Sequence, residues 1–306
     1  MLRHVLRALA GSARAESAVA SFPPGRALAR RHVAGDTARD AVRVARELDD
    51  DGFRVSLAHL GDDAPDAASA EEALRGHLDL LDLLADADLA DGADLLVRLS
   101  ELGLRVSERL AAGNAARLCA AAFEAGATVT LDAEEHSLIE PSYAVLDELR
   151  AEYPGTGATV QAYLRRSFAQ CRSLAGEGSR VRLTRGGFEA PASVAYLGSH
   201  EIDKSFVRCL KVLMAARGRP VVATHQRCLI DIAAALAVRD ERAPGEVEYQ
   251  MRYGVRPAEQ RRMAGLGATV RVHVPYGPGW FPYLAGRLAQ RPAKAAVAAR
   301  SLVSGS

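Results

Sequence analysis

The feature that most constrains the fold is an alternation, repeated eight times, of a short apolar segment and a longer segment with helical periodicity. Neighbouring apolar segments lie roughly 17–35 residues apart, which leaves room for a loop and a helix each time. Each is short and mostly apolar, as expected of strands that are buried on both faces. The predicted strands are 53–60, 95–100, 128–132, 159–162, 180–184, 220–224, 246–251 and 270–274.

The connecting segments carry apolar residues at helical spacing. In 69–85, Ser69 and Glu72 form a predicted capping box ahead of a series of leucines. A helix over 107–125 is expected to stop at Gly126. Because strand and helix alternate, the strands should pair in parallel through right-handed crossovers, and eight units favour a closed (β/α)8 TIM-like barrel of the α/β class. Further helices are predicted over 136–149, 200–216, 227–238 and 257–264.

The length fits one barrel with a short addition. A (β/α)8 barrel uses about 250 residues as one domain, and the chain has 306. We therefore predict an N-terminal helical segment, 1–45, packed on a barrel that occupies 46–306. The first forty residues are rich in Arg and Ala and superficially resemble a transit peptide, but helices packed on the barrel explain this composition equally well.

Charge and cysteine usage exclude several classes of protein. With 39 basic and 38 acidic residues, no net field favours nucleic acid or an anionic membrane. No apolar run reaches about 18 residues, so no transmembrane helix is expected. The four cysteines are widely separated and are interpreted as free thiols of a reducing compartment. Together with the bias toward Arg and Ala, these features indicate a cytoplasmic protein of a GC-rich bacterium.

Polar residues follow every predicted strand. In a (β/α)8 barrel the carboxyl ends of the strands converge on one face, which holds the active site. A solubilising rim would explain any one of these residues, but the whole set is better explained by a ligand site. Its members are Asp62, Arg98, Asp132, Glu134, Glu135, His136, Gln161, Tyr163, Arg182, Arg185, Gly186, Gly187, Thr224, His225, Gln226, Gln250, Arg252, His273, Tyr276, Tyr283 and Arg287.

The fifth strand end indicates the kind of ligand. Arg182 and Arg185, followed by Gly186 and Gly187, form a cationic loop whose backbone can approach a ligand closely, which suits a phosphate-bearing cofactor. A metal site built from acids and histidines after the third and sixth strands is not predicted, because no spacing enforces a ligand set. Serine hydrolase, P-loop and dinucleotide-binding motifs find no match.

The strand ends resemble the sequence blocks of proline dehydrogenases, in order, from the Arg-rich start of the chain to Gln290. Eight ordered blocks, one for each strand, are more specific than any single motif. The blocks are FRVSLAHLG (53–61), VRLSEL (97–102), LDAEE (131–135), VQAY (160–163), VRLTRGG (181–187), ATH (223–225), YQMRYG (249–254) and VHVPYG (272–277), followed by YLAGR (283–287).

The resemblance implies FAD at the strand ends and transfer of a hydride to flavin N5 from the carbon beside a secondary amine, as in oxidation of L-proline to 1-pyrroline-5-carboxylate. A quinone or another acceptor would reoxidise the flavin, with a weak peripheral membrane contact possible in such a protein. The resemblance also implies a set of flavin contacts. These are Gln161, Arg182, Arg185, Gly186, Thr224, His225, Gln226 and Gln250.

The substrate shell departs from the family pattern. The strand-two Lys is Arg98, and the first Arg of the Y-x-x-R-R motif is Gly286, while Tyr283 and Arg287 are kept. Losing a bidentate Arg–carboxylate contact should weaken proline binding by about 2 kcal/mol or more. Other changes place His273 and Phe188 where the family has Tyr, Arg252 where it has Leu, and Asp62 where it has Glu.

Two explanations compete. Either Arg98 and Arg252 have taken over the carboxylate of proline, or the pocket has been reshaped for another amine; a barrel that binds flavin without turnover is a third reading. The departures cluster around the substrate, which slightly favours a different amine. We assign catalytic roles to Arg182, Asp132 and His273; a plain hydrogen bond to a neighbour is the equally supported alternative for His273. The predicted substrate contacts are Arg98, Arg252, Arg287, Tyr283, Phe188 and Asp62.

Overall fold

A computed structural model describes residues 12–188 and 190–290 of the chain. Eight parallel strands close into a barrel in sequence order, with β1 paired to both β2 and β8. The predicted (β/α)8 barrel is therefore confirmed. The strands are β1 Arg54–His59, β2 Asp94–Val97, β3 Thr128–Leu131, β4 Gly157–Gln161, β5 Arg180–Thr184, β6 Arg219–Ala223, β7 Glu248–Arg252 and β8 Thr269–Tyr276.

Helices follow the strands and cover the barrel. A 3-10 turn at His136–Leu138 precedes the helix after β3, and the short helix after β4 was not among the predicted ones. Most predicted helices lie within three residues of the observed ends. The helices are α1 Ala13–Ser21, α2 Pro23–Arg30, α3 Ala38–Asp50, α4 Ala67–Asp86, α5 Glu108–Glu124, α6 Ile139–Glu152, α7 Ser167–Leu174, α8 Ser199–Ala215, α9 Arg227–Arg239, α10 Pro257–Gly265 and α11 Trp280–Gln290.

The predicted capping box of Ser69 and Glu72 is wrong. Helix α4 begins at Ala67, and the carboxylate of Asp66 accepts a hydrogen bond from the Ser69 backbone N–H at 2.8 Å. Asp is as good an N-cap as Ser, and Asp66 is the residue with extended backbone, so the helix starts earlier. The stop predicted at Gly126 is confirmed by its left-handed backbone, with φ of +74°.

The segment before β1 packs on the barrel near β8. Helix α3 buries Ala41, Val44, Ala45 and Leu48 in the same core as the strands. The Ala34 N–H donates to the Pro275 carbonyl at 2.9 Å. The predicted boundary at residue 45 falls inside α3, and residues 1–11 lie outside the described part of the chain, so the division into 1–45 and 46–306 stays a prediction. Within the described ranges, no helix is long and apolar enough to cross a bilayer.

Four charged residues fill the barrel near the amino ends of its strands, and we call them the ionic layer: Asp94, Arg180, Glu248 and Arg271. Arg271, only 2% exposed, forms a bidentate pair with Glu248 at 2.6 and 3.0 Å. Arg180 contacts Glu248 at 2.8 Å and Asp94 at 3.7 Å. Burial alone would raise the pKa of Glu248, but Arg271 and Arg180 hold this pKa below its usual value. The layer therefore carries two cations against two carboxylates.

A chain of hydrogen bonds joins the ionic layer to the carboxyl ends of the strands. Ser56 donates to Asp94 and accepts from the Gln250 amide at 2.9 Å. The Gln250 amide oxygen in turn accepts from Arg182 Nε at 2.5 Å. Because each side chain in this chain is buried and bonded on both sides, Arg182 is held from below.

Candidate active site

Arg182 stands at the centre of the barrel mouth. Arg182 is 8% exposed. Its Nη1 atom donates to the Asp132 carboxylate at 2.9 Å and more weakly to the Thr159 hydroxyl at 3.4 Å. Asp132, the first residue after β3, is further fixed because its carboxylate accepts from the Ala133 backbone N–H at 2.7 Å. Bonds from β3, β4 and β7 thus fix the plane of the guanidinium, which leaves a preorganised positive charge at the base of the site.

His273 lies beside this charge. Burial, followed by the charges of Arg182 and Arg252, holds the pKa of His273 well below its usual value. Its Nδ1 atom is buried and has no hydrogen-bond partner among the described residues. The ring is therefore neutral near pH 7 and presents an unsatisfied nitrogen.

Helix α11 brings Tyr283 and Arg287 to the same space. Arg287 donates to the Tyr283 hydroxyl at 2.7 Å, and its guanidinium lies 5.0 Å from the centre of that ring. Burial raises the pKa of Tyr283 to about 12, and the charges of Arg252 and Asp132 also act on it. The charges of Arg182 and Arg252 act on both His273 and Tyr283, and that of Asp132 acts on Tyr283, so these side chains share one region; their roles in binding stay predictions.

The loop after β5 comes close to neighbouring side chains at Gly186. This residue has a φ of +78°, and a Cβ added to it would lie 2.9 Å from the Gln161 Cβ and would also overlap the Tyr163 ring. Gln161 is buried and donates to the Glu134 carbonyl at 3.0 Å. Only glycine fits here, and the backbone of the loop is left open for close approach, so this edge fits a phosphate-bearing flavin cofactor.

The ends of β6 and β7 are tied together through His225. Its Nε2 accepts a hydrogen bond from the Arg252 backbone N–H at 2.9 Å, which places the ring proton on Nδ1. Beside it, the buried Thr224 hydroxyl accepts from the Gln226 N–H at 3.2 Å. These bonds order the strand ends that the resemblance assigns to the flavin, although direct contact with a cofactor stays a prediction for each residue.

Arg185 is held at the start of α8. It donates to Asp203 at 2.7 Å and to the Ser199 hydroxyl at 2.9 Å. When the Gln226 amide is oriented with its oxygen toward Arg185, this oxygen accepts a hydrogen bond from Arg185 Nε at 3.1 Å. The predicted pyrophosphate contact would therefore come from a guanidinium that is already positioned by three neighbours.

The guanidinium of Arg98 is bound by two carboxylates, those of Glu101 and Asp63. Its guanidinium makes hydrogen bonds to Glu101 at 2.8 and 2.5 Å, to Asp63 at 2.9 Å and to the Gly61 carbonyl at 2.5 Å. Burial alone would raise the pKa of Glu101, but its histidine neighbours and Arg98 hold it below its usual value, so the pair is fully charged. Asp62 is exposed, and the acid that contacts Arg98 is Asp63.

Phe188 lies on the exposed side of the loop after β5. It is 49% exposed and lines a groove of about 580 Å³ beyond β5. Its assignment as a substrate contact stays a prediction, as do those of Asp62 and Arg98. The other residues of this groove include Tyr163, Gly187, Pro191, Tyr196 and Leu197.

Sequence reasoning missed several side chains that build the site. Thr159 and Ser56 support Arg182 and Gln250, and Glu101 and Asp63 determine where Arg98 points. The strand alternation could have found the first two, because Ser56 and Thr159 are polar residues in short buried strands, and Thr159 shares its face with Gln161. The spacing of three residues between Arg98 and Glu101 was also a usable signal.

Together, the fold and the site define a (β/α)8-barrel enzyme with a cationic, preorganised mouth that suits a phosphate-bearing cofactor. The family model for proline dehydrogenase matches residues 41–290. Proline dehydrogenase 1 of Bacillus subtilis is 30% identical over 275 residues, covering 90% of both chains, and the proline dehydrogenase of Deinococcus radiodurans is 30% identical over 285 residues, covering 91% of both. The chain belongs to the proline dehydrogenase family.

Solved structures share the barrel. Proline utilization A from Bdellovibrio bacteriovorus, inactivated by N-propargylglycine, superposes with a TM-score of 0.78 at 21% identity, covering 86% of this chain and 32% of that one. A mutant of the Bradyrhizobium japonicum protein gives 0.72 at 22% identity, covering 86% and 31%. The chain thus spans about a third of the length of these proteins, and the likeness shows the fold. Family membership confirms the predicted class, an FAD-dependent oxidoreductase with bacterial relatives.

Proposed function

We propose that this protein oxidises L-proline to 1-pyrroline-5-carboxylate with FAD as its cofactor. The observation that carries the proposal is the Arg182–Asp132 pair, fixed beside the neutral His273 in a barrel of this family. Bound FAD supplies the acceptor for the hydride that leaves the carbon next to the amine nitrogen. The side chains described here bind the substrate, set the charge of its nitrogen and stabilise the charge that develops.

Arg252 and Arg287 are proposed to hold the substrate carboxylate. Arg252 acts electrostatically on both His273 and Tyr283, so its charge reaches the region between β8 and α11. Arg287, paired with Tyr283, approaches from the helix. Arg98 has two carboxylate partners already, and a substrate carboxylate would have to compete with Glu101 and Asp63 for it. Of Arg98 and Arg252, the two cations predicted to take over the substrate carboxylate, Arg252 is therefore the better candidate.

The cations at the mouth also favour an unprotonated amine. Removing a hydride from the carbon beside nitrogen requires the nitrogen lone pair, so the amine must lose its extra proton first. The charges that disfavour a protonated His273 disfavour a protonated amine at the same place. His273 Nδ1 can then accept a hydrogen bond from the N–H of the neutral substrate amine. Arg182 is proposed to stabilise the negative charge that accumulates on the reduced cofactor, with Asp132 fixing its orientation.

The direct test is an anaerobic titration of the purified protein with L-proline, following the long-wavelength absorbance of the flavin. We expect the band to bleach at millimolar or lower proline, because a carboxylate grip from Arg252 and Arg287 remains. D-proline is the matched control and should bleach it far less. A yellow protein that resists L-proline but is bleached by another cyclic or acyclic amine would replace proline by that amine. A protein that no amine bleaches would favour a binding barrel without turnover.

The second candidate substrate from the sequence, a larger or differently charged amine, can be tested at Gly286. A Cβ placed on Gly286 meets nothing within 4 Å, so there is space on α11 where the family pattern has an arginine. A larger substrate would use this space, whereas with proline as the substrate the space stays unfilled.

Gly286→Arg distinguishes these readings. If proline is the substrate, the new guanidinium should lower the KM for L-proline by about 10–100-fold, the effect expected of one added charged hydrogen bond of about 1.5–3 kcal/mol. Gly286→Met is the control, since it fills the same space and improves helix propensity similarly without charge. Equal KM values for the two variants and the parent in steady-state assays would show that no proline carboxylate lies near this position.

The remaining partner is the electron acceptor. We propose a quinone or a similar acceptor, reached through weak peripheral contact of an otherwise cytoplasmic protein with a membrane. The support is the resemblance to the family together with the near-zero net charge, which predicts a weak rather than a strong membrane contact.

A further inference from the structure

A second cluster of chemically capable side chains lies between the first two strand ends and helix α4. His59 is the last residue of β1, His77 lies in the middle of α4, and Glu101 lies in the loop after β2. One ligand atom from each lies within 4.8 Å of the other two. None of the three is needed for the proposed oxidation of proline.

The distances in this cluster match those between ligands of a tetrahedral metal ion. Both His59 Nδ1 and His77 Nε2 lie 3.4 Å from the same oxygen of Glu101, Oε2. With metal–ligand bonds of about 2.0–2.1 Å, two ligands of a tetrahedral Zn²⁺ lie about 3.3–3.4 Å apart. The two histidine–carboxylate separations are therefore already correct, whereas the two histidine nitrogens, which lie within 4.8 Å of each other, must close to the same spacing.

The hydrogen bonding of the cluster is incomplete in a way that a cation would complete. His77 is 3% exposed, and its Nε2 lies 3.4 Å from Glu101 Oε2 but does not reach hydrogen-bond geometry with any described residue. A buried imidazole nitrogen without a partner is costly, so such an atom needs an explanation. A metal ion between His77 and Glu101 would satisfy it directly.

The cluster has a route to solvent on the His59 side. The His59 side chain is 29% exposed, so the cluster opens to solvent on that side. Gly61 packs against it, and a Cβ there would overlap the His59 ring at 2.6 Å. Arg98 binds the other oxygen of Glu101, Oε1, and so orients the carboxylate with Oε2 directed at the histidines. Asp63, in contact with Arg98, offsets the positive charge of that arginine.

We propose that His59, His77 and Glu101 bind a first-row divalent cation, with Zn²⁺ the best match to two imidazoles and one carboxylate. Three protein ligands leave a fourth position for water on the exposed side. The ion would clamp the β1 and β2 loops to helix α4, close to the residues that engage Arg98. The sequence predicted no metal, and the acids and histidines considered there are different from these three.

The test uses the flavin-loaded protein without a histidine tag, after dialysis against a chelator. Zn²⁺ affinity is measured by competition with a chromogenic chelator, and Co²⁺ is added separately to look for ligand-field bands at longer wavelength than the flavin. We expect one equivalent of Zn²⁺ to bind and to raise the melting temperature. His59→Ala and His77→Gln should each weaken binding about 10-fold or more, with loss of the Co²⁺ bands.

His200→Ala is the matched control, because His200 is an exposed histidine on α8, and it should bind Zn²⁺ as the parent does. Absence of stoichiometric Zn²⁺ in the parent would overturn the proposal, as would unchanged affinity in His59→Ala. If His77→Gln does not fold, the exposed His59→Ala decides the question alone. Proline oxidation plays no part in these readouts, so the two proposals stand or fall separately.

Discussion

Replacing Arg182 by methionine is expected to lower kcat for L-proline by about 10²–10³-fold, the loss typical of removing one preorganised charge-stabilising group, about 2.7–4 kcal/mol. The guanidinium is 8% exposed and fixed by Asp132 and Gln250, so no water or neighbouring cation replaces it without rearrangement. Steady-state kinetics with L-proline, together with the flavin absorbance of the purified variant, measure the effect. A loss of kcat with flavin retained would locate the defect in the chemical step.

Removing Arg182 also leaves Asp132 without its cationic partner, and a control must separate this effect. The double variant Arg182→Met with Asp132→Asn removes the charge of both residues. If the unpaired carboxylate caused the defect, the double variant would recover most of the activity; if Arg182 acts directly, it will remain as slow as the single variant. Arg172→Met, at an exposed arginine on α7, serves as the control for loss of a positive charge elsewhere. Activity within about twofold of the parent in Arg182→Met would contradict the assignment.

The second large effect is on stability. Arg271→Met should lower the free energy of unfolding by about 3–5 kcal/mol, because it leaves the ionic layer with two buried carboxylates and one cation. Thermal unfolding should shift downward by roughly 5–10 °C for a chain of this size. The matched control is the double variant Glu248→Met with Arg271→Met, which keeps the balanced pair of Asp94 and Arg180. We expect the double variant to be clearly more stable than the single one.

The pH dependence of this effect has a definite sign. In the parent, Glu248 and Asp94 have pKa values lowered by their arginines, although burial alone would raise them. Their contribution to stability is therefore present above the unfolded pKa of about 4 and is lost as pH falls toward the folded values. In Arg271→Met the unpaired carboxyl can be neutralised by a proton, so the stability gap should narrow at acid pH. A gap that widens below pH 4 in denaturant melts would contradict this account.

The barrel and its cationic mouth were predictable because they depend on local signals. Strand β5 was predicted with its observed bounds, since a short alternating run with turns on both sides leaves little choice. The start of α4 was not predicted correctly, because Asp66 and Ser69 are both good N-cap residues and only the backbone conformation at Asp66 decides between them. The family resemblance supplied the flavin and substrate assignments, which propensity alone could not.

The environment of Arg98 shows where sequence reasoning stops. As a cation at a strand end, it fitted a role in binding carboxylate, but its partners turned out to be Glu101 and the neighbour of the chosen acid, Asp63. Which of two adjacent acids faces an arginine depends on the path of the loop backbone. Neighbouring residues such as Asp62 and Asp63 can direct their side chains to opposite sides of the loop. The cluster of His59, His77 and Glu101 was missed for a related reason: its members converge only through barrel closure and helix packing, so no short spacing connects them.

Helix α11 lies outside the strand ladder, yet it carries Tyr283, Gly286 and Arg287. The residues assigned to the cofactor lie instead on β4 to β7 and the loops that follow them, where hydrogen bonds run down to the ionic layer. On these assignments, the substrate contacts on α11 lie outside the hydrogen-bonded interior of the barrel, whereas Arg252 of β7 and the cofactor contacts belong to it. A laboratory selection for new amine substrates should accordingly draw its successful variants from α11, while variants of the strand interior would be lost through misfolding before their activity was ever tested.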